Sequence, residues 1–586
     1  MGEACGRPAA AVHRACSNNH PLLGAEQADF VHADSTTATE ADVITLGRRV
    51  LIIGLALALP LARSAAAQRR ADAEPSLPPV NTRAIEAHLK YLADDLLEGR
   101  APATRGGRLA AKYVAAAFEA VGLDPAGPSG SYFQPVALVG MTPQPTLVWG
   151  KGSDTPTPRY GDDFVAWAER PEEHIAVDGD VVFVGYGTRA PEWQWDDYKR
   201  VPLRGKVLLM LVNDPGLQDS TVFNGKALTY YGRWTYKLEE AARQGALGAL
   251  LVHTTESATY PWDVVRGSWS VEQFMLDRPR TQSLAFAGWV QHDLAQRALA
   301  QVGLDLDSLT RAAARRDFRP VSTGIHAAVE ITSALRHVES ENVVAKLPGS
   351  DPRLGREAVL FTAHWDHKGI GPAVNGDSIY NGAEDNASGV AAILAAAQAL
   401  VDVTPRPRRT ILFIATTAEE SGLLGSEAYV QAPLVPLDRT AAVLNIDVAN
   451  VRGATRDIDA LGIERSTLGD AFRAAARAES LAVRHLPDVR GSFYRSDHFP
   501  FARAGVPALS FKSGIDFVDR PESWGKDQED EYNSHRYHRP SDEYASSFRY
   551  DGTAQQVRVA LRVALAVANA PQLPRWLPSS EFQRQP

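Results

Sequence analysis

Cysteine is nearly absent from this chain. Its 586 residues carry two, Cys5 and Cys16, and both precede the first long apolar run. Everything after that run therefore has neither a disulfide framework nor a thiolate metal ligand. Any metal held there needs imidazole and carboxylate. Long apolar runs are scarce as well. The one that stands out, residues 50–62, follows Arg48-Arg49 and precedes Ala65-Ala66-Ala67. That is the order of parts in a secretory signal, and the run is too short to span a bilayer comfortably. No cysteine follows it to carry a lipid anchor. No basic stripe is present, and a net charge of −9 argues against nucleic acid or an anionic membrane surface as a partner.

These absences predict a signal peptide over about residues 43–67 and a mature chain beginning near Gln68, secreted or periplasmic, with no stable membrane anchor. Signals normally begin at the first residue. The 47 residues ahead of Arg48 therefore point to a translation start further on, at Val43.

At this length two or more domains are expected, and 45% hydrophobic with 22% charged residues is ordinary globular composition. A polar, proline-bearing linker follows the signal. Residues 81–122 then show helical spacing, with Ile85, Leu89, Leu92 and Leu96 in one stretch and Ala111, Val114, Phe118 and Val121 in the next. The turn Leu97-Glu98-Gly99-Arg100 separates them, and Gly122 reads as a helix C-cap. From 141 to 335 the character is β-rich, with strands over 181–184, 206–212 and 249–252 and a helix over 237–244. No ligand cluster appears in this stretch, and His253 reads as structural. From 336 on, strands over 358–363, 410–417, 441–446 and 506–511 alternate with helices, including 388–401 capped by Asn386 or Ser388. The fold class is α/β, a mostly parallel mixed sheet between helices with a β-rich insert.

The chemistry sits in five places: Thr362-Ala363-His364-Trp365-Asp366-His367, Glu384-Asp385-Asn386-Ala387-Ser388-Gly389, Glu419-Glu420, Asn445-Ile446-Asp447 and Tyr537-His538. Each alone has a plain explanation. A Glu pair is usually a helix N-terminal charge pair, and Asp-Asn is usually a turn and cap. Yet His364, Glu419-Glu420 and Asp447 each follow a strand at its carboxyl end, where open α/β sheets bind ligands. His364, Asp385, Glu420, Asp447 and His538 are the nitrogen and oxygen ligands that a pair of zinc ions would choose. Two Zn²⁺ bring four positive charges. Asp385, Glu420 and Asp447 return three, and a bound hydroxide would supply the fourth. Without metal, the converging carboxylates would repel one another and protonate. Asp366 can take the second ring proton of His364 and fix its tautomer. Glu419 is left as a carboxylate free to move protons. The chain reads as a two-metal hydrolase.

On these motifs, residues 336–565 resemble the catalytic domain of the co-catalytic zinc aminopeptidases, the family that includes aminopeptidase Y and bacterial secreted leucyl aminopeptidases. Residues 141–335 resemble an inserted protease-associated domain, on Phe183-Val184-Gly185-Tyr186-Gly187, Asp196-Asp197-Tyr198 and Gly205-Lys206-Val207. The resemblance implies a zinc exopeptidase fold divided as 1–67 extension and signal, 68–140 N-terminal helices, 141–335 insert and 336–575 catalytic domain. It implies that His364 and Asp447 complete one zinc, Glu420 and His538 the other, and that Asp385 bridges them. Glu419 would be the general base for a metal-bridging hydroxide, Asp366 would orient His364, and Tyr537 would stabilise the oxyanion. Ser496-Asp497-His498 matches a family motif near the site. His367, His535 and Asp542 read as groups behind the ligands or on the surface. The implied activity is removal of N-terminal residues from peptides. A carboxypeptidase or dipeptidase on the same scaffold remains open, as do a one-zinc glutaminyl-cyclase-like enzyme and a receptor-like binding protein. The insert is expected to supply no catalytic group and to border the active-site entrance.

Overall fold

Alternation at period two sets the architecture of the catalytic part. In the strand Ala358–His364 every residue is buried, so both faces must be covered. Val359, Phe361 and Ala363 join a core built with the helices Thr82–Leu92, Arg105–Ala120, Ser388–Val401 and Asp551–Asn569. Ala358 and Leu360 turn the other way, toward Tyr429, Phe501 and Trp576. The neighbouring strand Thr410–Thr416 divides in the same manner. Its Phe413 ring stacks on Phe361 at 5.2 Å, and Phe118 leans on it at 5.7 Å. Strands covered on both faces read as unbroken apolar runs, which is the signature of parallel pairing.

This computed structural model describes residues 77–150, 157–278, 283–484 and 488–583. The signal-like run, Val43 and both cysteines lie outside the described residues. Among the described residues no helix is long and apolar enough to cross a membrane. The catalytic sheet runs in the order Ala482–Val483, Asp457–Leu461, Ala508–Ser513, Thr440–Ile446, Ala358–His364, Thr410–Thr416, Val321–Leu347. Ala358–His364 is parallel to both neighbours, and Thr440–Ile446 is parallel to Ala508–Ser513. Val321–Leu347 runs antiparallel to Thr410–Thr416, and Asp457–Leu461 antiparallel to Ala508–Ser513. This is the mostly parallel mixed sheet between helices that the sequence implies.

Two expectations shift. The strand placed at 506–511 begins at Ala508 instead, because the Val506 N–H closes the preceding helix onto the Phe501 carbonyl and Pro507 has no N–H to give. Leu96, placed on the helical stripe, is 78% exposed, and Leu97 takes the core position. The helix stops at Leu92 and a tight turn over Asp95–Arg100 follows, in which the Asp94 carboxylate accepts the Leu96 N–H at 3.0 Å. Gly122 behaves as expected, at φ +86° just past the Arg105–Ala120 helix.

Residues 141–335, the expected insert, leave and return on one antiparallel ribbon. Phe133–Gly150 pairs with Val321–Leu347 from Phe133 opposite Val343 to Gly150 opposite His326. Met141 and Leu335, the expected limits of the insert, face each other in that ribbon. The stretch expected as β-rich also has its own helices. The strands His174–Phe183, Val207–Leu211, Gly248–His253 and Phe286–Gln291 run parallel in that order, and Phe164–Ala168 closes the edge antiparallel. Trp234–Arg243 covers one face, while His292–Ala300 and Leu306–Ala313 cover the other.

The N-terminal helices reach the catalytic edge through Arg100, which is 1% exposed. Its Nε donates to the Trp365 carbonyl at 2.9 Å and one terminal nitrogen to the Gly382 carbonyl at 3.0 Å, while the other holds the Leu92 and Asn381 carbonyls. The turn needs glycine beside it. Gly99 sits at φ +66°, and a Cβ there would lie 2.5 Å from the Tyr380 carbonyl oxygen. Arg100→Met would strand these carbonyls in the interior, so urea unfolding should show a loss of about 3–5 kcal/mol. Leu96→Ala should stay within about 0.5 kcal/mol.

Candidate active site

The candidate groups stand where the parallel strands run out. His364 is the last residue of its strand, and Asp447 comes one residue after Ile446 ends the next. After Thr416 the chain must turn sharply if Glu419 and Glu420 are both to reach the cleft. Ala418 makes that turn at φ +52°. The insert's ribbon holds it in place. Ser340 Oγ and Thr417 Oγ1 share a hydrogen bond at 2.6 Å, and the Asn342 side-chain carbonyl accepts the Thr417 N–H at 3.1 Å. Asp385 lies in the tight segment Ala383–Ala387, whose Glu384 and Asp385 N–H groups both donate to the Asp542 carboxylate at 3.0 Å. Asn386 caps the following helix by accepting the Gly389 N–H at 3.0 Å, and it also accepts the Val448 N–H at 3.1 Å. That second bond ties the Asp385 turn to the Asp447 turn.

The two oxygens of Asp385 face different imidazoles. Oδ1 lies 3.2 Å from His364 Nε2, and Oδ2 lies 3.3 Å from His538 Nε2. Asp447 Oδ1 is 3.4 Å from the same nitrogen of His364, and Glu420 Oε2 is 3.1 Å from that of His538. Glu419 Oε2 stands back, 4.0 Å from His364 Nε2. The five ligand candidates thus fall into two groups that share Asp385.

The tautomer of His364 is set differently from expectation. Its Nδ1 donates to the main-chain carbonyl of Asp366 at 3.1 Å, while the Asp366 carboxylate is 3.9 Å away. That carboxylate, raised to about 7 by burial, instead accepts the Glu419 N–H at 3.2 Å. Asp366 therefore positions His364 through its backbone and Glu419 through its side chain. A carbonyl can only accept, so Nδ1 carries the ring proton and Nε2 turns its lone pair toward the oxygens of Asp385 and Asp447. Lone pairs facing lone pairs need a cation between them or a second ring proton. The electrostatics state the same demand. Burial pulls His364 down, but Glu419, Asp385 and Asp447 together push it well above the ordinary imidazole range. Burial raises Glu419 far above a normal carboxylate, and Asp447, Glu420 and Asp497 add to the rise. His364, Asp385 and Glu420 can close on one cation, and His364, Glu419 and Asp447 offer a second set of converging atoms. An imidazole and carboxylate donor set of this kind suits zinc.

Groups behind the ligands hold them in place. His367 Nδ1 lies 2.6 Å from Glu420 Oε1, and Lys368 Nζ lies 3.0 Å from Oε2. Glu384 is wholly buried between Arg452 at 2.6 Å and Arg536 at 2.8 Å, and burial raises it to about 7. Asp542 is also fully buried. Sequence reasoning named His367 and Asp542 but passed over Lys368, which directly follows one motif run, and the role of Glu384, which opens another. His535 is on the surface, against the Glu531 carbonyl at 3.3 Å. Ser496 Oγ accepts from Asn445 Nδ2 at 2.7 Å, Asp497 accepts the Thr416 hydroxyl, and His498, packed on Phe493, is pulled down to about 3 by burial. Tyr537 stacks its ring on His538 at 3.8 Å. His253, expected to be structural, has Nε2 3.0 Å from the Tyr260 carbonyl.

Residues 342–564 match the family model described as Peptidase family M28. Aminopeptidase YwaD of Bacillus subtilis (strain 168) is 28% identical over 221 residues, 37% of this chain and 43% of that protein. Leupeptin-inactivating enzyme 1 of Streptomyces exfoliatus is 29% identical over 188 residues, 31% of this chain and 39% of that protein. The chain therefore spans about two fifths of the length of these curated relatives. Among solved structures, an aminopeptidase from Aneurinibacillus sp. strain AM-1 aligns with a TM-score of 0.43 at 17% identity, over 87% of this chain and 97% of that one. All five ligand candidates, with Asp366, Glu419 and Tyr537, lie inside the segment 342–564 that matches the Peptidase family M28 model.

Proposed function

We propose that this chain is a secreted aminopeptidase that uses two zinc ions to remove N-terminal residues from peptides. The observation that carries the reading is the split carboxylate of Asp385, each oxygen on a different imidazole at 3.2 and 3.3 Å. His364 and Asp447 would hold one zinc with it, and Glu420 and His538 the other. Bound there, zinc supplies Lewis acidity, lowering the pKa of water and polarising the peptide carbonyl. The remaining work belongs to side chains. Glu419, whose proton affinity is raised by burial among carboxylates, takes the proton of the attacking water and returns it to the leaving amine. Tyr537 donates to the oxygen that gains charge in the transition state. Lys368 and His367 keep Glu420 ionised and aimed.

The insert, which we take as a protease-associated domain, borders the cleft without supplying a catalytic group. Its Thr259 and Tyr260 meet Arg495, and its Tyr230 packs on Tyr494 and Phe499 of the catalytic part. Secretion rests on the signal-like run over 43–67.

Metal analysis of the purified chain should find close to two zinc, and chelation should abolish peptide hydrolysis. Asp385→Asn should lose both ions, while His364→Ala or His538→Ala should weaken chiefly one. A single zinc with full activity would sink the two-metal scheme. A panel of free, N-acetylated and C-amidated peptides tests the direction of cleavage. Hydrolysis of N-acetylated peptides from the C-terminus would make the enzyme a carboxypeptidase.

Glu419 and Glu420 separate chemistry from metal binding. Glu419→Gln should retain zinc and substrate affinity yet lose turnover by about 10²-fold or more. Glu420→Gln should lose zinc affinity instead. Reversed phenotypes would exchange the two roles and leave the reaction class unchanged.

A further inference from the structure

Among the described residues, the Nε of the buried Arg233 guanidinium has no hydrogen-bond partner. Arg233 is 8% exposed, and the nearby groups that favour its charge (Tyr260, Asp488 and Tyr494) act on it only at a distance. Asp488 is itself committed, accepting the Ser492 and Phe493 N–H groups at 2.8 and 2.9 Å. Other buried arginines in this chain are fully engaged. Arg100 holds main-chain carbonyls, and Arg409 pairs with Glu357 at 2.7 Å while donating to the Val567 carbonyl. A guanidinium taken out of water without compensation is costly, so a partner for Arg233 is to be sought outside the protein.

A second arginine stands beside it. The charge of Arg495, together with burial, draws Arg233 down to about 9. Arg495 also has an unpartnered buried Nε. A terminal nitrogen of Arg495 donates to Thr259 Oγ1 at 3.1 Å, and its guanidinium lies 5.8 Å from the centre of the Tyr260 ring. Arg233 comes from the insert and Arg495 from the catalytic part, so the pair spans the seam between them. Two cations of like sign, each with an unpartnered buried Nε, match a carboxylate. Arg495 is also tied to the strand ends: it directly precedes Ser496, whose hydroxyl accepts from Asn445, two residues before Asp447, at 2.7 Å.

We propose that Arg233 and Arg495 form a carboxylate-binding subsite at the edge of the metal cleft, so that the favoured substrate is a short peptide whose carboxylate docks between them. The inference rests on the peptidase reading above. The carboxylate is either the free C-terminus of a dipeptide or tripeptide, or an acidic side chain.

The test compares KM and kcat on the zinc-loaded full chain for Leu-Ala, Leu-Ala-amide and Leu-Glu-amide. Leu-Ala should exceed Leu-Ala-amide in kcat/KM by roughly 10- to 100-fold, carried by KM, the scale of charge-assisted hydrogen bonds. If Leu-Glu-amide alone gains over Leu-Ala-amide, the side chain is the source. Arg495→Gln and Arg233→Met should bring either ratio down to about one, and Arg495→Lys should keep part of it. Should Arg233→Met fail to fold by circular dichroism, half-buried Arg495 carries the test. Equal KM for all three peptides overturns the inference and leaves the peptidase reading intact. If none is hydrolysed, that reading fails, and calorimetry then decides the subsite. Tighter binding of Leu-Ala than of its amide, lost in Arg495→Gln, supports it, and no difference overturns it.

Discussion

Carboxylates gathered at one sheet edge repel one another, and much of the surrounding structure answers that repulsion. Asp385, Glu419, Glu420 and Asp447 meet around two imidazoles in a cleft with little solvent, where unscreened charge is costly. The immediate answer is positional. His364 gives its ring proton to the Asp366 carbonyl and so keeps a lone pair for a cation. His367 lies against one oxygen of Glu420 and Lys368 against the other, the oxygen that faces His538, which favours the ionised carboxylate. Farther out, Arg452 and Arg536 neutralise Glu384, the neighbour of Asp385 in the same turn. The fold thus surrounds its negative centre with positive charge and donors but leaves the inner faces of the ligands open to metal.

The convergence of the ligand candidates was legible because a strand's end is a fixed address. An apolar run followed at once by His, Glu-Glu or Asp places that side chain at the carboxyl edge whatever the rest of the fold does. Helix Ser388–Val401 was legible for a similar reason, since its apolar composition and its flanking Asn386 are local. Arg100, Lys368 and Arg233 were not singled out, because their meaning lies in partners far along the chain or in the absence of one. Arg100 bonds a carbonyl 265 residues away, and no spacing rule reaches that far. Asp366 shows a finer limit. The sequence put an oxygen near His364 correctly, but whether the carbonyl or the carboxylate supplies it depends on backbone direction after the strand. Leu96 and Leu97 differ by one position, and the Asp94 cap that ends the helical period exchanged their roles.

The insert's attachment bears on what it can do. A domain joined by a flexible linker would present its side chains at variable distances, and a two-arginine subsite split across the seam would be imprecise. Here the connection is the ribbon of Phe133–Gly150 with Val321–Leu347, whose far end enters the catalytic sheet beside Thr410–Thr416. The same ribbon supplies Ser340 and Asn342, which hold the turn before Glu419. Away from the ribbon, Tyr230 packs on Tyr494 and Phe499, and Arg503 pairs with Glu239 at 2.7 Å. Residues 141–335 are therefore held to the rest of the chain along the ribbon and again through Tyr230, Glu239 and Thr259. Motion of one relative to the other would strain the turn that positions Glu419.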